Sequence, residues 1–137
     1  MIEQIRAEAM HIAEIAASEV DGDSFSTIGS EDDEAFAEVY DALVKYRDNS
    51  VVEYIYTMRK TGPNKSVFVV DTDPEEPGEI DEEYDWLDVF ETVYGGTAAW
   101  DEELTVDEWG TFISGYAPIF NSAGKVVGLV GVDVSLA

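Results

Sequence analysis

The chain has 137 residues and sets 31 Asp and Glu against 7 Lys and Arg, for a formal net charge of −24 at pH 7. So acidic a surface repels the phosphates of nucleic acid and of anionic lipid headgroups, both of which are held mainly by Lys and Arg, and this excludes nucleic acid as a partner. With no Cys and one His, His11, the chain offers no disulfide framework, thiol nucleophile, His-based triad or multi-His metal site. Three Trp, seven Tyr and six Phe are still enough for a true core, so one folded domain over residues 1–137 is expected rather than a disordered acidic chain.

Ile2, Ile5, Ala9, Ile12, Ile15, Ala16 and Val20 recur at three- and four-residue spacing, which predicts a long amphipathic first helix ending at Asp21-Gly22-Asp23. A second helix is expected from Ser30, a capping hydroxyl with Asp33 three residues on, and Phe36, Val39, Tyr40, Leu43 and Val44 form its apolar stripe. Its acidic start, Glu31 to Glu34, suits the positive end of a helix dipole and reads as a solvated helix start. Residues 51–60 and 66–71 are rich in β-branched and aromatic side chains and are split by Thr61-Gly62-Pro63-Asn64, which predicts a hairpin.

From residue 72 to 107 the chain is acidic, with aromatics at Tyr84, Trp86, Phe90, Tyr94 and Trp100 around Gly95-Gly96. Such a length is too great for a structureless loop in a compact domain, so short helices, chiefly over 81–94, are expected to lie on the sheet. Strands over 110–120 and 125–135 then close an antiparallel sheet across the turn Asn121-Ser122-Ala123-Gly124. The last strand is almost wholly apolar until Asp133. An unpaired buried carboxylate is costly, so Asp133 calls for a cation, a hydrogen-bond donor or a ligand. No apolar run approaches the ~18 residues of a membrane span. No signal peptide precedes the first helix, so the chain as given is expected to be soluble. It starts inside an amphipathic pattern and stops just after a strand, as a segment of a longer protein would.

Asp21-Gly22-Asp23, Tyr54-Ile55-Tyr56-Thr57-Met58-Arg59, Val67-Phe68-Val69-Val70-Asp71, residues 108–119 and Gly128-Leu129-Val130-Gly131-Val132-Asp133 follow one another in an order and spacing that resemble the Cache family. These are the PAS-like extracytoplasmic sensor domains of bacterial and archaeal chemoreceptors, histidine kinases and cyclic-dinucleotide enzymes, here in single-Cache form. The resemblance implies an α+β fold with a central antiparallel sheet, the long N-terminal helix on one face and a helical and loop lid over the other. It further implies an extracytoplasmic domain of a cell-membrane receptor, with transmembrane helices on either side, that senses a small molecule without catalysis or cofactor. Amino-acid-binding members of the two-module Cache group carry an Arg-x-Trp-Tyr segment for the ligand carboxylate, which this chain lacks. Asp133 does resemble the terminal-strand Asp that holds the ligand amine there; its alternative role is structural, with the carboxylate satisfied by backbone donors.

Alternation along the strands sorts their side chains into two faces. Ile55, Thr57, Val67, Val69, Ile113, Gly115, Ala117, Ile119, Val126, Gly128, Val130 and Val132 form a small, aliphatic set suited to lie beneath the first helix. Tyr54, Tyr56, Met58, Phe68, Val70, Phe112, Ser114, Tyr116, Val127, Leu129, Gly131 and Asp133 form an aromatic set with a few polar groups, the texture of a small-ligand pocket. From it Tyr54, Tyr56, Phe68, Ser114, Tyr116 and Asp133, with Trp109 from the strand's approach, are the expected ligand-binding residues, and Trp86, Trp100 and Trp109 the lid. Lys125 is the sole cation after residue 65, leaving Arg59 and Lys60 as candidates to meet an anion. An amine, an amino acid or a neutral solute is therefore favoured over a dicarboxylate. Asp71-Thr72-Asp73-Pro74-Glu75-Glu76 lacks the spacing of a calcium loop and reads as a solvated acidic loop, so no metal site is expected.

Two other classes compete. One is a module that binds no ligand and acts by partner contacts or as a homodimer through the N-terminal helix; a saturable rise of melting temperature with ligand separates it from a sensor. The other is an enzyme using carboxylates such as Asp101, Glu102 and Glu103, but nothing sets their spacing or builds a pocket around them.

Overall fold

The computed structural model describes residues 2–48, 51–108 and 110–136. Three helices come first: α1 (Ile2–Ser18), α2 (Gly22–Phe25) and α3 (Glu34–Asp48). Then follow β1 (Val52–Gly62), β2 (Lys65–Asp71), β3 (Glu83–Tyr84), α4 (Asp88–Tyr94), β4 (Ala99–Trp100), β5 (Thr105–Asp107), β6 (Gly110–Phe120) and β7 (Val126–Ser135). The strands form one antiparallel sheet in the order β3-β2-β1-β7-β6-β4, with β5 also paired to β6. The chain's last strand thus lies at the middle of the sheet, between β1 and β6. This is the α+β architecture expected from the sequence: α1 on one face, α4 and the acidic segment on the other. Among the described residues no helix is long and apolar enough to cross a membrane.

The inner edge of α1 is built of alanine. Ala9, Ala13, Ala16 and Ala17 are buried, whereas Ile15, expected inside, is 54% exposed. Gly115 explains the choice, because a Cβ there would lie 2.4 Å from the Met10 backbone nitrogen. The helix rests on the strand itself, and at that separation larger residues do not fit between them. Ile113, Ala117, Val130 and Val132 face these alanines in the aliphatic core, joined by Val39 and Leu43 of α3.

Helix α3 starts later than Ser30. The Asp33 carboxylate accepts the Gly29 and Ser30 N–H groups at 2.8 and 3.1 Å and closes a turn, and the Asp33 carbonyl then accepts from Phe36 and Ala37. Helix α4 is likewise shorter than residues 81–94, because Glu83 and Tyr84 pair with Val67 and Ser66 as strand β3. The short strands β4 and β5, which carry no strong alternation, were not expected.

The two faces follow the alternation except where the ladder is bulged. Between the pairs Tyr56↔Asp71 and Met58↔Phe68, β1 advances by two residues and β2 by three. Thr57, fully buried, braces the extra residue: its hydroxyl accepts the Val70 N–H at 2.8 Å and donates to the Val70 carbonyl at 3.3 Å. Val70, expected on the aromatic face, therefore turns into the aliphatic core, and Asp71 comes opposite Tyr56. A second register shift beside Phe120 exchanges Val126 and Val127: Val127 packs on the aliphatic core, while Val126 approaches Gly96 beside α4.

Candidate functional site

On the aromatic face the central strands set out two rows. Tyr54, Asp133 and Ser114 are cross-strand partners on β1, β7 and β6, and Tyr56, Gly131 and Tyr116 form the row beside them. Gly131 leaves room for the Tyr56 ring to lie across β7; a Cβ there would come within 2.3 Å of that ring. Lying across, the ring delivers its hydroxyl to Asp133, donating to Oδ1 at 3.0 Å, and the Ser114 hydroxyl donates to the same oxygen at 2.8 Å. Two side-chain hydroxyls thus orient a half-buried carboxylate. Burial first, and the Asp133 charge second, push the Tyr56 and Tyr116 hydroxyls well above the ordinary tyrosine pKa, so both stay protonated as donors.

Aromatic rings wall this carboxylate. Tyr54 packs on Phe112 at 5.5 Å between centroids, Phe68 meets Tyr56 edge-on at 5.8 Å, and Tyr84 meets Phe68 at 5.6 Å. Their offset and edge-on geometries are those that aromatic quadrupoles favour. The result is a cleft of about 550 Å³ lined by Tyr54, Tyr56, Phe68, Tyr84 and Asp133. Arg47, Val52, Glu53, Asp71, Asp73, Pro74, Glu75 and Glu76 complete its lining. The volume falls within the range of small-molecule pockets, and the lining joins aromatic walls to many charged side chains, nearly all of them acidic.

The acidic segment is folded back on itself. Asp71 accepts the Gly78 N–H at 2.8 Å and the Asp73 N–H at 3.1 Å, and Asp73 accepts the Glu75 N–H at 3.0 Å. Burial raises the Asp71 pKa above the usual carboxylate value, against the pull of those two backbone donors. Beside this segment, Arg47 at the end of α3 donates to the Thr72 carbonyl and pairs with Asp48 at 3.2 Å.

Helix α4 covers the part of the aromatic face formed by Met58, Tyr116 and Leu129. Phe90 and Val93 of α4 are buried against Tyr116, Met58 and Leu129, with Phe90 edge-on to Tyr116 at 5.3 Å. Trp86 stacks on Tyr94 at 5.9 Å beside them. Trp100 does not join this lid: it extends the sheet edge opposite Gly115, and its indole N–H donates to Glu102 at 3.2 Å.

Of the residues expected from the sequence, Tyr54, Tyr56, Phe68 and Asp133 line the cleft together. Ser114 and Tyr116 are buried behind them, Ser114 bonded to Asp133 and Tyr116 sealed under α4. Trp109 lies outside the described residues. Neither expected cation reaches the cleft: Arg59 donates to the Ile28 carbonyl and to Asp81, and Lys60 sits 5.6 Å over Trp86. Arg47, Tyr84 and Asp71 also line the cleft, and the strand alternation does not point to them. A signal for Arg47 existed in the short step from the end of α3 to the start of β1, which brings the helix's last turn beside that strand. Among the described residues no group of three or more His, Cys, Asp or Glu is arranged to hold a metal ion.

No protein family model matches the chain, and no curated protein does either. Solved structures do. The ligand-binding domain of the Campylobacter jejuni chemoreceptor Tlp3 in complex with 4-methylisoleucine matches at TM-score 0.57 and 16% identity, over 98% of this chain and 52% of that one. The periplasmic sensory domain of the C. jejuni chemoreceptor Tlp1 matches at TM-score 0.57 and 12% identity, over 98% and 55%. The ligand-binding domain of the Pseudomonas aeruginosa PAO1 amino acid chemoreceptor PctC in complex with GABA matches at TM-score 0.54 and 17% identity, over 95% and 55%. The chain has a Cache-like fold. It spans about half the length of the chemoreceptor domains it matches. Within that Cache-like fold, the cleft lies on the sheet face away from the long N-terminal helix, with Asp133 on the sheet's last strand at its floor.

Proposed function

We propose that this chain is the extracytoplasmic ligand-sensing domain of a transmembrane receptor, and that it binds a small molecule bearing an ammonium group in the cleft above Asp133. The observation that carries the reading is the placement of Asp133: a carboxylate oriented by Tyr56 and Ser114 on the floor of an aromatic-walled cleft. Such a floor binds an ammonium group by a charge-assisted hydrogen bond, and the surrounding ring faces add cation–π attraction. The ligands in the Tlp3 and PctC complexes, 4-methylisoleucine and GABA, are amino compounds, which supports an ammonium group as the recognised element. No catalytic step belongs to this reading.

Signalling follows from the same placement. Asp133 lies on β7, which packs under α1, so a ligand favouring one arrangement of β7 against α1 shifts the population of the whole domain. In the full-length receptor, transmembrane helices flank the domain, and a homodimer would use the outer side of α1, where Ile15 is exposed.

Asp133→Asn tests the anchor. The amide oxygen can still accept from Tyr56 and Ser114, so folding should be nearly intact, while the ammonium loses its charged partner. That bond is worth about 1.5–3 kcal/mol, so affinity for an amine ligand should fall roughly tenfold to a hundredfold or somewhat more. Calorimetric titration beside melting curves reads both; reduced stability with unchanged affinity would make Asp133 a structural residue and sink the reading.

A further inference from the structure

The charged lining of the cleft is more selective than Asp133 alone. Glu53, Asp71, Asp73, Glu75 and Glu76 line the cleft together with Asp133, and among the described residues Arg47 is the one cation lining it. That guanidinium already serves the Thr72 carbonyl and the Asp48 carboxylate. A ligand carboxylate entering here meets one engaged arginine and a lining of like charge.

A second carboxylate faces the same floor. The bulge at Val70 sets Asp71 opposite Tyr56 on β2, while Asp133 is opposite Tyr54 on β7, so the two Asp flank β1 on the same face. By strand geometry their Cα atoms are about 10 Å apart across the sheet and about 7 Å apart along it. Tyr54 and Tyr56 lie between them. The backbone donors at Gly78 and Asp73 use one lone pair on each Asp71 oxygen, and a carboxylate has about four sites, so Asp71 retains capacity for an ammonium group. Asp71 takes part in none of the ion pairs found among the described residues, and burial without a cation raises its pKa. A cation placed there would relieve that penalty.

We infer that the cleft takes an aliphatic diamine, with one ammonium group on Asp133, the second on Asp71, and the carbon chain across the Tyr54 and Tyr56 rings. This rests on the receptor reading above and sharpens it, since it excludes a ligand with a carboxylate at the far end. The Cα atoms are then about 12 Å apart in all, and a chain of roughly four to six carbons, with an ion contact of about 2.8 Å at each end, spans that gap with both side chains standing upright on the sheet face.

A matched series decides it: 1,5-diaminopentane, pentylamine and 5-aminopentanoate, titrated calorimetrically against the wild-type protein at low ionic strength. The three share one carbon chain and differ at the far end only. The diamine should bind about tenfold to a hundredfold tighter than pentylamine, with 5-aminopentanoate the weakest. A diamine no tighter than pentylamine, or an aminopentanoate as tight as the diamine, overturns the inference and leaves the receptor reading standing. Absence of binding by all three, and by a panel of amino acids, sinks both. In Asp71→Asn, with folding checked by its melting curve, the diamine should drop to the level of pentylamine while pentylamine is unchanged. A diamine advantage that survives in the folded variant removes Asp71 as the second anchor. Should the variant not fold, the wild-type series still decides between the outcomes.

Discussion

Gly131→Ala probes the link between the sheet and the oriented carboxylate. The added Cβ would stand 2.3 Å from Tyr56 Cε2, 2.6 Å from Cζ and 2.9 Å from the hydroxyl oxygen, where ordinary contact begins at 3.4 Å. The ring must therefore retreat by about 1 Å. It has little freedom to do so, since Tyr56 is 6% exposed, meets Phe68 edge-on and is bonded to Asp133. Overpacking of this kind costs about 1–3 kcal/mol, and displacing the hydroxyl weakens a hydrogen bond to a charged group on top of that. Against this, Ala restricts the unfolded chain and returns about 0.4–1 kcal/mol. A net loss of about 2 kcal/mol, or a fall in melting temperature of roughly 6–8 °C for a domain of this size, is expected. Thermal and urea unfolding measure it, and Tyr56→Val supplies the control, because the shorter side chain vacates the contact. In the Tyr56→Val background the same Gly131→Ala change should be close to neutral. Equal losses in both backgrounds would refute the steric argument, and a melting temperature unchanged by Gly131→Ala alone would show that the ring does not lie across the strand.

Gly115→Ala should be more damaging than Gly131→Ala, about 3 kcal/mol or more, because its Cβ would meet the Met10 and Ala9 backbone rather than a ring that can tilt; a smaller loss in urea unfolding would mean that α1 does not rest on β6. Alkaline pH should unfold the protein through its tyrosines. Burial raises the folded-state pKa of Tyr56, Tyr116 and Tyr94, and that of Tyr46 to about 12, from an ordinary value of 10.0. Their contribution is therefore fully present below about pH 10 and is lost as pH rises toward the folded values. Tyrosinate absorbance should accordingly appear together with the loss of folded signal, and ionisation of all seven tyrosines well before unfolding would contradict the burial.

Much of this arrangement was legible in the sequence because a strand reports its faces with a period of two. Tyr54, Tyr56, Phe68, Ser114, Tyr116 and Asp133 fall on one face, and Ile55, Val69, Ile113 and Val130 on the other, by position alone. Capping is less legible, since Ser30 and Asp33 both suit the start of a helix. What decides between them is which backbone N–H groups the Asp33 carboxylate reaches. The Ile and Ala positions of α1 are equally helical in spacing; only the glycine on the strand beneath shows that alanine must form the contact edge.

The departures at Val70 and Asp71 have one cause. Residues 67–71 read as an unbroken alternating strand, which puts Val70 beside Phe68's face and Asp71 away from it. The bulge reverses both, and what stabilises it, the Thr57 hydroxyl bonded twice to Val70, is a contact between strands that no pattern within β2 reveals. Thr57 is fully buried, so its hydroxyl needs such a partner, and the extra residue supplies it. A regular ladder at this point would hold Asp71 off the cleft face and leave Asp133 facing an aromatic wall alone. The same extra residue that defeats the sequence pattern thus sets a second carboxylate on the cleft. Bulges recur where a strand must re-aim a side chain toward a site, and in the inferred diamine complex the re-aimed side chain is the one that would separate a diamine from a monoamine.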